Sequence, residues 1–298
     1  MSNPVSSRVF APGLVIQGFE PPLPLASFKA IAFDMDSTLI NIECIDEIAD
    51  AVGKKAEVAA ITEAAMRGEI TDFKDSLRRR VALLKGVPAE ALQGVYEQRL
   101  RLNPGALELV AAARAAGLQT LLVSGGFTFF ADRVRERLGM HEAHSNTLDI
   151  EGGLLTGHVL GDIVDGEAKK RHLLDLCARL GCPPHHSIAV GDGANDLPMM
   201  GAAGLSVAFH AKPKVREQAM VAISHSPHET EKFYFGWPYA KWSELINYRP
   251  TEDWLNISLP IYMIHGNNHH CKCSFHDEIL DRQIKPIYYN VASKFLQV

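Results

Sequence analysis

The sequence predicts an α/β fold in which a parallel sheet carries helices on both faces. Apolar runs of strand length alternate with amphipathic segments of helix length between residues 28 and 224. That alternation is typical of parallel βαβ units. After the first strand, helical spacing continues for about 60 residues, which is too long for a crossover connection. We therefore expect an N-terminal stub (1–27), a core (28–224) with a helical cap inserted at about 43–102, and a separate C-terminal extension (225–298).

Composition and charge exclude several classes of protein. The 298 residues are 47% hydrophobic and 22% charged with a net charge of −5, which fits a globular chain and neither a disordered one nor a basic nucleic-acid binder. No apolar run approaches the roughly 18 residues of a membrane span, and the N-terminus shows no targeting pattern. The five cysteines lack the spacing of small secreted domains. We expect a cytoplasmic protein; no pattern indicates its oligomeric state.

The first predicted elements form the start of the core and the cap. A strand is expected at 30–33, directly before the segment FDMDSTL. Apolar residues then recur at helical spacing from Ile45 to Val52 and from Phe73 to Leu84, which predicts two helices. A third helix is predicted between Pro104, near its start, and Gly117, just past its end.

The later elements continue the alternation. The run LQTLLV predicts a strand that ends at 124–126, and a helix is expected from Phe127 to Leu138 because Gly139 stops it. Residues 147–156 are typical of a hairpin around two glycines. A helix is then expected around Lys169 to Leu180. Three further strands are predicted in the runs SIAV, LSVAF and MVAIS.

Composition changes abruptly after Ser224. The last 74 residues hold all three Trp and six of the seven Tyr but only two Ala. This favours the hypothesis of an appended segment of different origin and uncertain fold. Its His- and Cys-rich stretch (265–276) does not have the spacing of a zinc site, so we assign it no metal and no catalytic function.

Three polar segments stand where strands are predicted to end: 34–38, 124–126 and 191–196. Sites in open α/β sheets form at the carboxyl ends of strands, so these segments can converge although they are distant in sequence. Each alone is weak, since an isolated Asp-x-Asp is more often a solvated turn. Their combination, each after its own strand, predicts one shared site.

Carboxylates in this site indicate a divalent cation. Asp34 and Asp36 lie two residues apart, so both side chains can point to the same side at a strand end. Together with Asp192 they offer the oxygen ligands that suit Mg²⁺. Without a cation, such crowded carboxylates would repel one another and one would be protonated. The pattern therefore predicts a Mg²⁺ site.

Other residues of these segments suit a phosphate group. Ser124 and the amides of Gly125 and Gly126 can cradle phosphate, aided by the N-terminus of the following helix. Ser124 could also serve as the N-cap of that helix. Lys169 supplies a positive charge of the kind phosphoryl oxygens need, although its neighbour Lys170 is an alternative. The set predicts a phosphoryl-transfer site.

Four segments of the sequence resemble the four motifs of the haloacid dehalogenase superfamily. They are FDMDSTL, VSGG, a lysine at the start of a later helix, and GDGAND. More narrowly, residues 28–224 resemble the phosphoserine phosphatase family, including the stretches IECIDEIA and EAAMRGEITDFKDSLRRRVALLKG. The resemblance implies a Rossmann-like parallel sheet and Mg²⁺-dependent hydrolysis of O-phospho-L-serine, the last step of serine biosynthesis, with no nucleic-acid or membrane partner.

The resemblance also implies a role for each matching residue. Asp34 would be the nucleophile that becomes an aspartyl phosphate, and Asp36 the acid and base. The metal would be held by Asp34, the Asp36 carbonyl and Asp192. The phosphoryl group would be bound by Ser124, Gly125 and Lys169, with Thr38, Asn195 and Asp196 completing the site. In the cap, the substrate ammonium would meet Glu43 and its carboxylate Arg80, under a lid formed by Met66 and Phe73.

Two cap assignments have simpler alternatives. Arg80 belongs to a run with Arg78 and Arg79 whose ordinary role is a solvated helix face. Only Arg80 lies near the apolar line of its helix. Glu43 could instead be a dipole partner for the helix that starts near Ile45.

Two other functions stay open at this point. The chain could act on another small phosphomonoester, or pass the phosphoryl group to an acceptor such as homoserine. It could also be a catalytically silent binding protein, although such a protein would have no chemical need for both Asp34 and Asp36.

Overall fold

A computed structural model describes residues 8–11, 13–19, 23–66 and 69–224. The strands are β1 (Arg8–Ala11), β2 (Leu14–Ile16), β3 (Ala30–Phe33), β4 (Gln119–Phe127), β5 (Glu142–Glu151), β6 (Leu154–Leu160), β7 (Ser187–Gly191), β8 (Leu205–Phe209) and β9 (Val221–Ile223). The helices are α1 (Cys44–Ala51), α2 (Lys55–Met66), α3 (Phe73–Ala82), α4 (Glu90–Gln98), α5 (Ala106–Ala115), α6 (Thr128–Leu138), α7 (Gly166–Arg179), α8 (Leu197–Ala202) and α9 (Pro213–Gln218). The predictions for the C-terminal extension (225–298) concern residues outside the described ranges.

The strands form one mixed sheet in the order β1-β2-β9-β8-β7-β3-β4-β5-β6. The central run from β9 to β5 is parallel, and antiparallel pairs close both ends. Every residue of β3 and β7 is buried, as expected of strands covered on both faces. Because β3 lies between β7 and β4, the segments that follow these three strands meet at one edge of the sheet.

Helices cover the two faces of the sheet through different apolar layers. On one face, α5 and α6 pack large side chains such as Val110 and Phe130 against Ile31 and Phe33. On the other, α7, α8 and α9 pack against small strand residues, among them Ala32 and Ala189. This two-faced α/β architecture is the predicted fold class.

Helices α1 to α4 form a helical insertion between β3 and α5. Its entry and exit segments run side by side: Ile40 bridges Leu102, and the Asn41 N–H donates to the Arg101 carbonyl at 3.0 Å. The Asn103 side chain then donates to two carbonyls of the entry segment, those of Thr38 and Ile40. The insertion is therefore anchored beside the end of β3.

A second set of backbone hydrogen bonds joins the helical insertion to β6. The Gly86 N–H donates to the Leu155 carbonyl, the Leu155 N–H to the Val87 carbonyl and the Ala89 N–H to the Gly153 carbonyl, each at 2.8 Å. The connection between α3 and α4 consequently pairs with part of the outer edge of the β5–β6 hairpin.

Several elements differ from the sequence prediction. No strand was expected before residue 30, yet β1 and β2 extend the sheet beyond β9, and Leu14 and Ile16 are buried in the core. Strand β4 continues through Phe127 instead of ending at 124–126, and its pairing with β5 is irregular between Val123 and Phe127. A short strand and a glycine-containing one both lack the periodicity that would reveal them.

Within the described residues, none of the helices combines the length and the hydropathy that a membrane span needs.

Candidate active site

A buried lysine lies between two aspartates at the carboxyl edge of the sheet. Lys169 is in the first turn of α7, and its Nζ lies 2.5 Å from Asp34 Oδ1 and 2.7 Å from Asp196 Oδ1. Lys169 and Asp196 are fully buried and Asp34 almost so. Such charges are tolerated in an interior only when paired and hydrogen-bonded. Lys170, the alternative lysine, instead pairs with Glu167 and is partly exposed.

Asp192 completes a group of carboxylates that could hold a metal ion. The ligand oxygens of Asp34, Asp192 and Asp196 lie within 4.8 Å of one another. Asp196 Oδ2 already accepts the N–H groups of Asp192 and Gly193, and its Oδ1 accepts from Lys169. Asp34 and Asp192 thus have more oxygen lone pairs available for a metal ion than Asp196 has. Asp192 Oδ1 also accepts a 3.3 Å hydrogen bond from the Thr38 hydroxyl.

The electrostatics of this group fit a cation. Burial, followed by repulsion from Asp196, raises the pKa of Asp34 well above its ordinary value. The same two causes raise the pKa of Asp192 to about 7. Burial opposes the charge of Lys169, but Asp196 and Asp34 outweigh it and raise the pKa of that lysine. Because one lysine faces several carboxylates, a divalent ion would supply the missing positive charge.

Asp36 lies in the turn after β3, next to the start of α1. Its Oδ2 accepts the Cys44 N–H at 3.4 Å, while its buried Oδ1 has no hydrogen-bond partner among the described residues. Burial and then the charge of Glu43 raise the pKa of Asp36 to about 8, against a lowering by Cys44. A carboxyl group with such a pKa can hold a proton near neutral pH and also release it.

The segment of the predicted phosphate cradle is held in place by side chains around it. The Ser124 hydroxyl accepts the Gly126 N–H at 2.9 Å. The Asn146 amide donates to the Gly125 carbonyl and its oxygen accepts the Val164 N–H, both at 2.8 Å. A Cβ on Gly126 would come within 3.0 Å of both Met35 Cε and Asp36 Oδ2, so the segment passes directly beside the aspartates.

The hypothesis that Ser124 caps the next helix is wrong. Helix α6 begins at Thr128, and its N-cap is Phe127, which makes no side-chain capping bond. Because β4 continues through the two glycines, Ser124 lies four residues before the helix, and its hydroxyl hydrogen-bonds within its own strand segment instead.

Phe73 covers this segment from the helical insertion. It is the first residue of α3, and a Cβ on Gly125 would lie only 2.9 Å from Phe73 Cζ. The next residue, Lys74, forms a 3.1 Å ion pair with Asp165 at the N-cap of α7. Two neighbouring residues of the insertion therefore contact the core beside the site.

Glu43 is the N-cap residue of α1, but its carboxylate does not cap the helix. It accepts a 2.7 Å hydrogen bond from the Ser37 hydroxyl, and Ser37 has a left-handed backbone, with φ of 56°. Although part of Glu43 is exposed, desolvation of its carboxylate raises its pKa, against the hydrogen bond from Ser37.

Arg80 is near enough to Glu43 and Asp36 for their charges to act on its guanidinium group. It is half-buried, whereas Arg78 and Arg79 are exposed, as its place near the apolar line of α3 predicted. Desolvation lowers its pKa, while Asp46 and Glu43 raise it. Buried Arg80 Nε and Asp46 Oδ1 have no hydrogen-bond partners within the part of the chain that the structure describes. A buried polar atom without a hydrogen-bond partner destabilises the fold unless a bound ligand supplies that partner.

The structure therefore brings most of the predicted site residues to one edge of the sheet. Half-buried Asn195 lies in the short 3₁₀ turn before α8 that also carries Asp196. Met66 ends α2, and its side chain lies outside the described residues. Sequence reasoning missed Ser37, Cys44, Asp46 and Asn146, because only the tertiary fold brings these residues close to the groups of the site.

Fold and site together define an α/β enzyme whose ionic centre lies at the carboxyl ends of parallel strands. The chain belongs to the haloacid dehalogenase-like hydrolases, whose family model matches residues 28–204.

Two curated relatives within this family are similar to the chain over most of their own length. The chain is 66% identical over 218 residues to a phosphoserine phosphatase of Polaromonas sp., a match that covers 72% of this chain and 92% of the relative. It is 67% identical over 217 residues to a phosphoserine phosphatase of Albidiferax ferrireducens, with the same coverage.

A solved phosphoserine phosphatase, described as a phospho-aspartyl intermediate analogue, is similar in structure, with a TM-score of 0.60 and 41% identity. The match covers 64% of this chain and 91% of that one.

Proposed function

We propose that this chain is a Mg²⁺-dependent phosphoserine phosphatase that hydrolyses O-phospho-L-serine to L-serine and phosphate. The extent and identity of its match to phosphoserine phosphatases support the substrate. The observation that carries the chemistry is the position of the Lys169 ammonium, 2.5 Å from one oxygen of buried Asp34. That lysine favours the ionised form of the Asp34 carboxylate, against the burial and repulsion that raise its pKa, and offers a positive charge where phosphoryl oxygens would bind.

In the first step, a carboxylate oxygen of Asp34 forms a bond to phosphorus while the bond from phosphorus to the serine oxygen breaks. Asp36 delivers its proton to that oxygen, so serine leaves as an alcohol. The raised pKa of Asp36, about 8, suits this role because the group is protonated at neutral pH.

In the second step, the carboxylate of Asp36 takes a proton from water. The water oxygen attacks phosphorus of the aspartyl phosphate, and the bond between phosphorus and the Asp34 oxygen breaks. Phosphate leaves, and Asp34 and Asp36 return to their starting states. Two displacements thus replace one very slow hydrolysis.

Asp34, Asp192 and the Asp36 carbonyl would hold the Mg²⁺. When bound, the ion neutralises charge on the phosphoryl oxygens. Ser124, the Gly125 amide and Lys169 bind those oxygens from the protein side, with Asn195, Thr38 and Asp196 in support.

The helical insertion acts as a cap that recognises the amino-acid part of the substrate. Glu43 meets the ammonium group and Arg80 the carboxylate, while Phe73 and Met66 exclude water. The unpartnered Nε of Arg80 supports this assignment, because an incoming carboxylate would satisfy it. The cysteines within the described residues, Cys44, Cys177 and Cys182, are free thiols, which supports a cytoplasmic location.

The test is release of inorganic phosphate from O-phospho-L-serine by the full-length chain, with Mg²⁺ and then with EDTA. We expect release that requires Mg²⁺ and exceeds that from other phosphomonoesters. Homoserine added as an acceptor tests for phosphoryl transfer. Preferential formation of phosphohomoserine, or a different preferred phosphomonoester, would contradict the proposal.

A further inference from the structure

One peptide unit of the predicted phosphate cradle, the unit that joins Gly125 to Gly126, is held at both ends by side chains. Its carbonyl accepts a 2.8 Å hydrogen bond from the Asn146 side-chain amide, and its N–H donates to the Ser124 hydroxyl oxygen at 2.9 Å. Both bonds lie in the interior, since Ser124 and Asn146 are buried. The orientation of this peptide unit is thereby fixed.

That orientation decides what Ser124 can offer to a phosphoryl group. A hydroxyl group has two lone pairs that accept hydrogen bonds and a single hydrogen to donate. The Gly126 N–H occupies one lone pair of the Ser124 oxygen, which leaves the hydroxyl hydrogen for a phosphoryl oxygen. If the peptide unit turned over, the Gly125 carbonyl would point toward the hydroxyl and attract its hydrogen away from the ligand.

The peptide unit needs an outside partner because it is built from glycine. Without a Cβ, Gly126 can adopt the positive φ that a reversed peptide unit requires. The position has no room for a larger residue, since a Cβ on Gly126 would lie 2.9 Å from Met35 Cε and 3.0 Å from Asp36 Oδ2. The cradle therefore combines a flexible residue with a defined peptide orientation, and the Asn146 amide supplies that definition.

The oxygen of the same amide binds a second segment of the site. It accepts the Val164 N–H at 2.8 Å, and Val164 directly precedes Asp165, the N-cap residue of α7. Helix α7 carries Lys169 in its first turn. One planar amide thus joins the cradle to the start of the helix that carries the lysine.

We propose that Asn146 is a positioning residue for phosphate binding: its amide fixes the peptide unit of the cradle and sets the distance between Ser124 and Lys169. The proposal deepens the proposed function and rests on the phosphate-binding roles given there to these two residues. Asn146 acts through them, so its loss is expected to appear first in the affinity for phosphate.

The experiment titrates inorganic phosphate in Mg²⁺ into the wild type, Asn146→Ala and Thr120→Val by calorimetry. Thr120 is the matched control, because it is fully buried near the start of β4 and its hydroxyl accepts the His141 N–H just before β5, at 3.1 Å. Its side chain thus also joins β4 to the chain at β5, but four residues before Ser124.

We expect Asn146→Ala to weaken phosphate binding about 10-fold or more, the usual loss of a hydrogen bond to a charged group. The value of kcat/KM for p-nitrophenyl phosphate should fall with it. Thr120→Val should lower the melting temperature, since it also breaks a buried hydrogen bond, but leave phosphate binding unchanged.

Two further measurements separate positioning from a general distortion of the site. The Mg²⁺ concentration for half-maximal turnover should stay unchanged in Asn146→Ala, because no proposed Mg²⁺ ligand belongs to the cradle. Asn146→Asp keeps the acceptor for Val164 but donates to the Gly125 carbonyl only when its carboxyl group is protonated. Burial favours that protonation, so the phosphate affinity of Asn146→Asp relative to the wild type should rise from pH 8 to pH 6.

Wild-type phosphate affinity in Asn146→Ala, an equal loss in Thr120→Val, or an equal change in the Mg²⁺ requirement would overturn the proposal. Melting temperatures identify a variant that fails to fold. If Asn146→Ala is one, Asn146→Asp carries the comparison, and a relative affinity that falls from pH 8 to pH 6 would overturn the proposal.

Calorimetry needs no turnover, so the proposed function and the role of Asn146 can fail separately. A wild type that binds phosphate but does not hydrolyse O-phospho-L-serine would overturn only the substrate assignment, and Asn146 would still be judged on its phosphate affinity. A wild type that binds no phosphate would overturn both.

Discussion

Phe73 and Gly125 approach so closely that the glycine has no room for a side chain: a Cβ on Gly125 would lie 2.9 Å from Phe73 Cζ. The contact joins the first residue of α3 to the segment that follows Ser124. The helical insertion and the proposed phosphate-binding segment are therefore matched in shape at this point.

Gly125→Ala should push the Phe73 ring away from the site. Because small displacements of substrate-positioning groups are costly to catalysis, we expect about a 10-fold lower kcat/KM for O-phospho-L-serine. Gly94→Ala is the control. Gly94 lies within α4 with open space around its Cβ position, so this change should add about 0.5–1 kcal/mol of stability and leave kinetics unchanged. Normal kinetics in Gly125→Ala would contradict the tight contact.

Arg80→Ala should damage recognition of an amino-acid substrate selectively. A hydrogen bond to a charged group contributes about 1.5–3 kcal/mol, so kcat/KM for O-phospho-L-serine should fall about 10- to 100-fold. For p-nitrophenyl phosphate, which has no carboxylate, the change should be small. Arg79→Ala is the matched control, because Arg79 lies on the same helix but is exposed and pairs with Asp75. Equal losses on both substrates in Arg80→Ala would remove its assigned role.

Lys169→Met should abolish most activity and also destabilise the fold. Removing one partner of a buried ion pair typically costs about 3–5 kcal/mol, and Lys169 leaves two carboxylates behind, those of Asp34 and Asp196. Lys170→Met, which disrupts a partly exposed pair, should cost no more than about 1 kcal/mol. Urea unfolding and phosphate release measure both effects. Comparable stability losses in the two variants would contradict the burial of Lys169.

The metal-free protein should lose stability as the pH rises. Burial raises the pKa of Asp36 to about 8 and that of Asp192 to about 7, whereas unfolded aspartates titrate near pH 4. The native state thus keeps protons that the unfolded state has released, so the free energy of unfolding falls between about pH 4 and pH 8. Melting temperatures in EDTA at pH 6 and pH 8 test this.

Mg²⁺ should reverse that trend, because it binds the ionised carboxylates and stabilises only the folded state. We expect a larger rise in melting temperature with Mg²⁺ at pH 8 than at pH 6. Asp192→Asn should reduce both the fall in EDTA and the gain with Mg²⁺. A melting temperature in EDTA that increases from pH 6 to pH 8 would show the opposite sign of linkage.

Periodicity and turn residues predicted most of the core. Strand β3 was predicted at its observed bounds, Ala30–Phe33. Gly139 ends α6 in a left-handed conformation, as predicted. Strands β1 and β2 were not predicted: β1 pairs with β2, and β2 in turn pairs with distant β9. Such pairing is a property of the tertiary fold and leaves no local signal.

The charged residues of the site could be predicted from the sequence, but the residues that hold its segments in place could not. Motif spacing indicated Asp34 and Lys169, whose pairing the structure shows directly. Nothing in the sequence distinguishes Asn146 from any other strand asparagine. Its bonds to the segments around Gly125 and Val164 arise only when β5 lies next to β4.

The pairing of β2 with β9 also constrains when the sheet can be completed during synthesis. The Gln17 side chain donates to the Glu217 carbonyl, 200 residues away, and the Ser224 N–H donates to the Gly13 carbonyl. The β1–β2 hairpin is synthesised before β9, which follows the other strands of the described sheet in the chain. Until β9 is made, the edge of β2 that faces away from β1 has no partner strand, so β1 and β2 are among the last strands to be incorporated into the sheet.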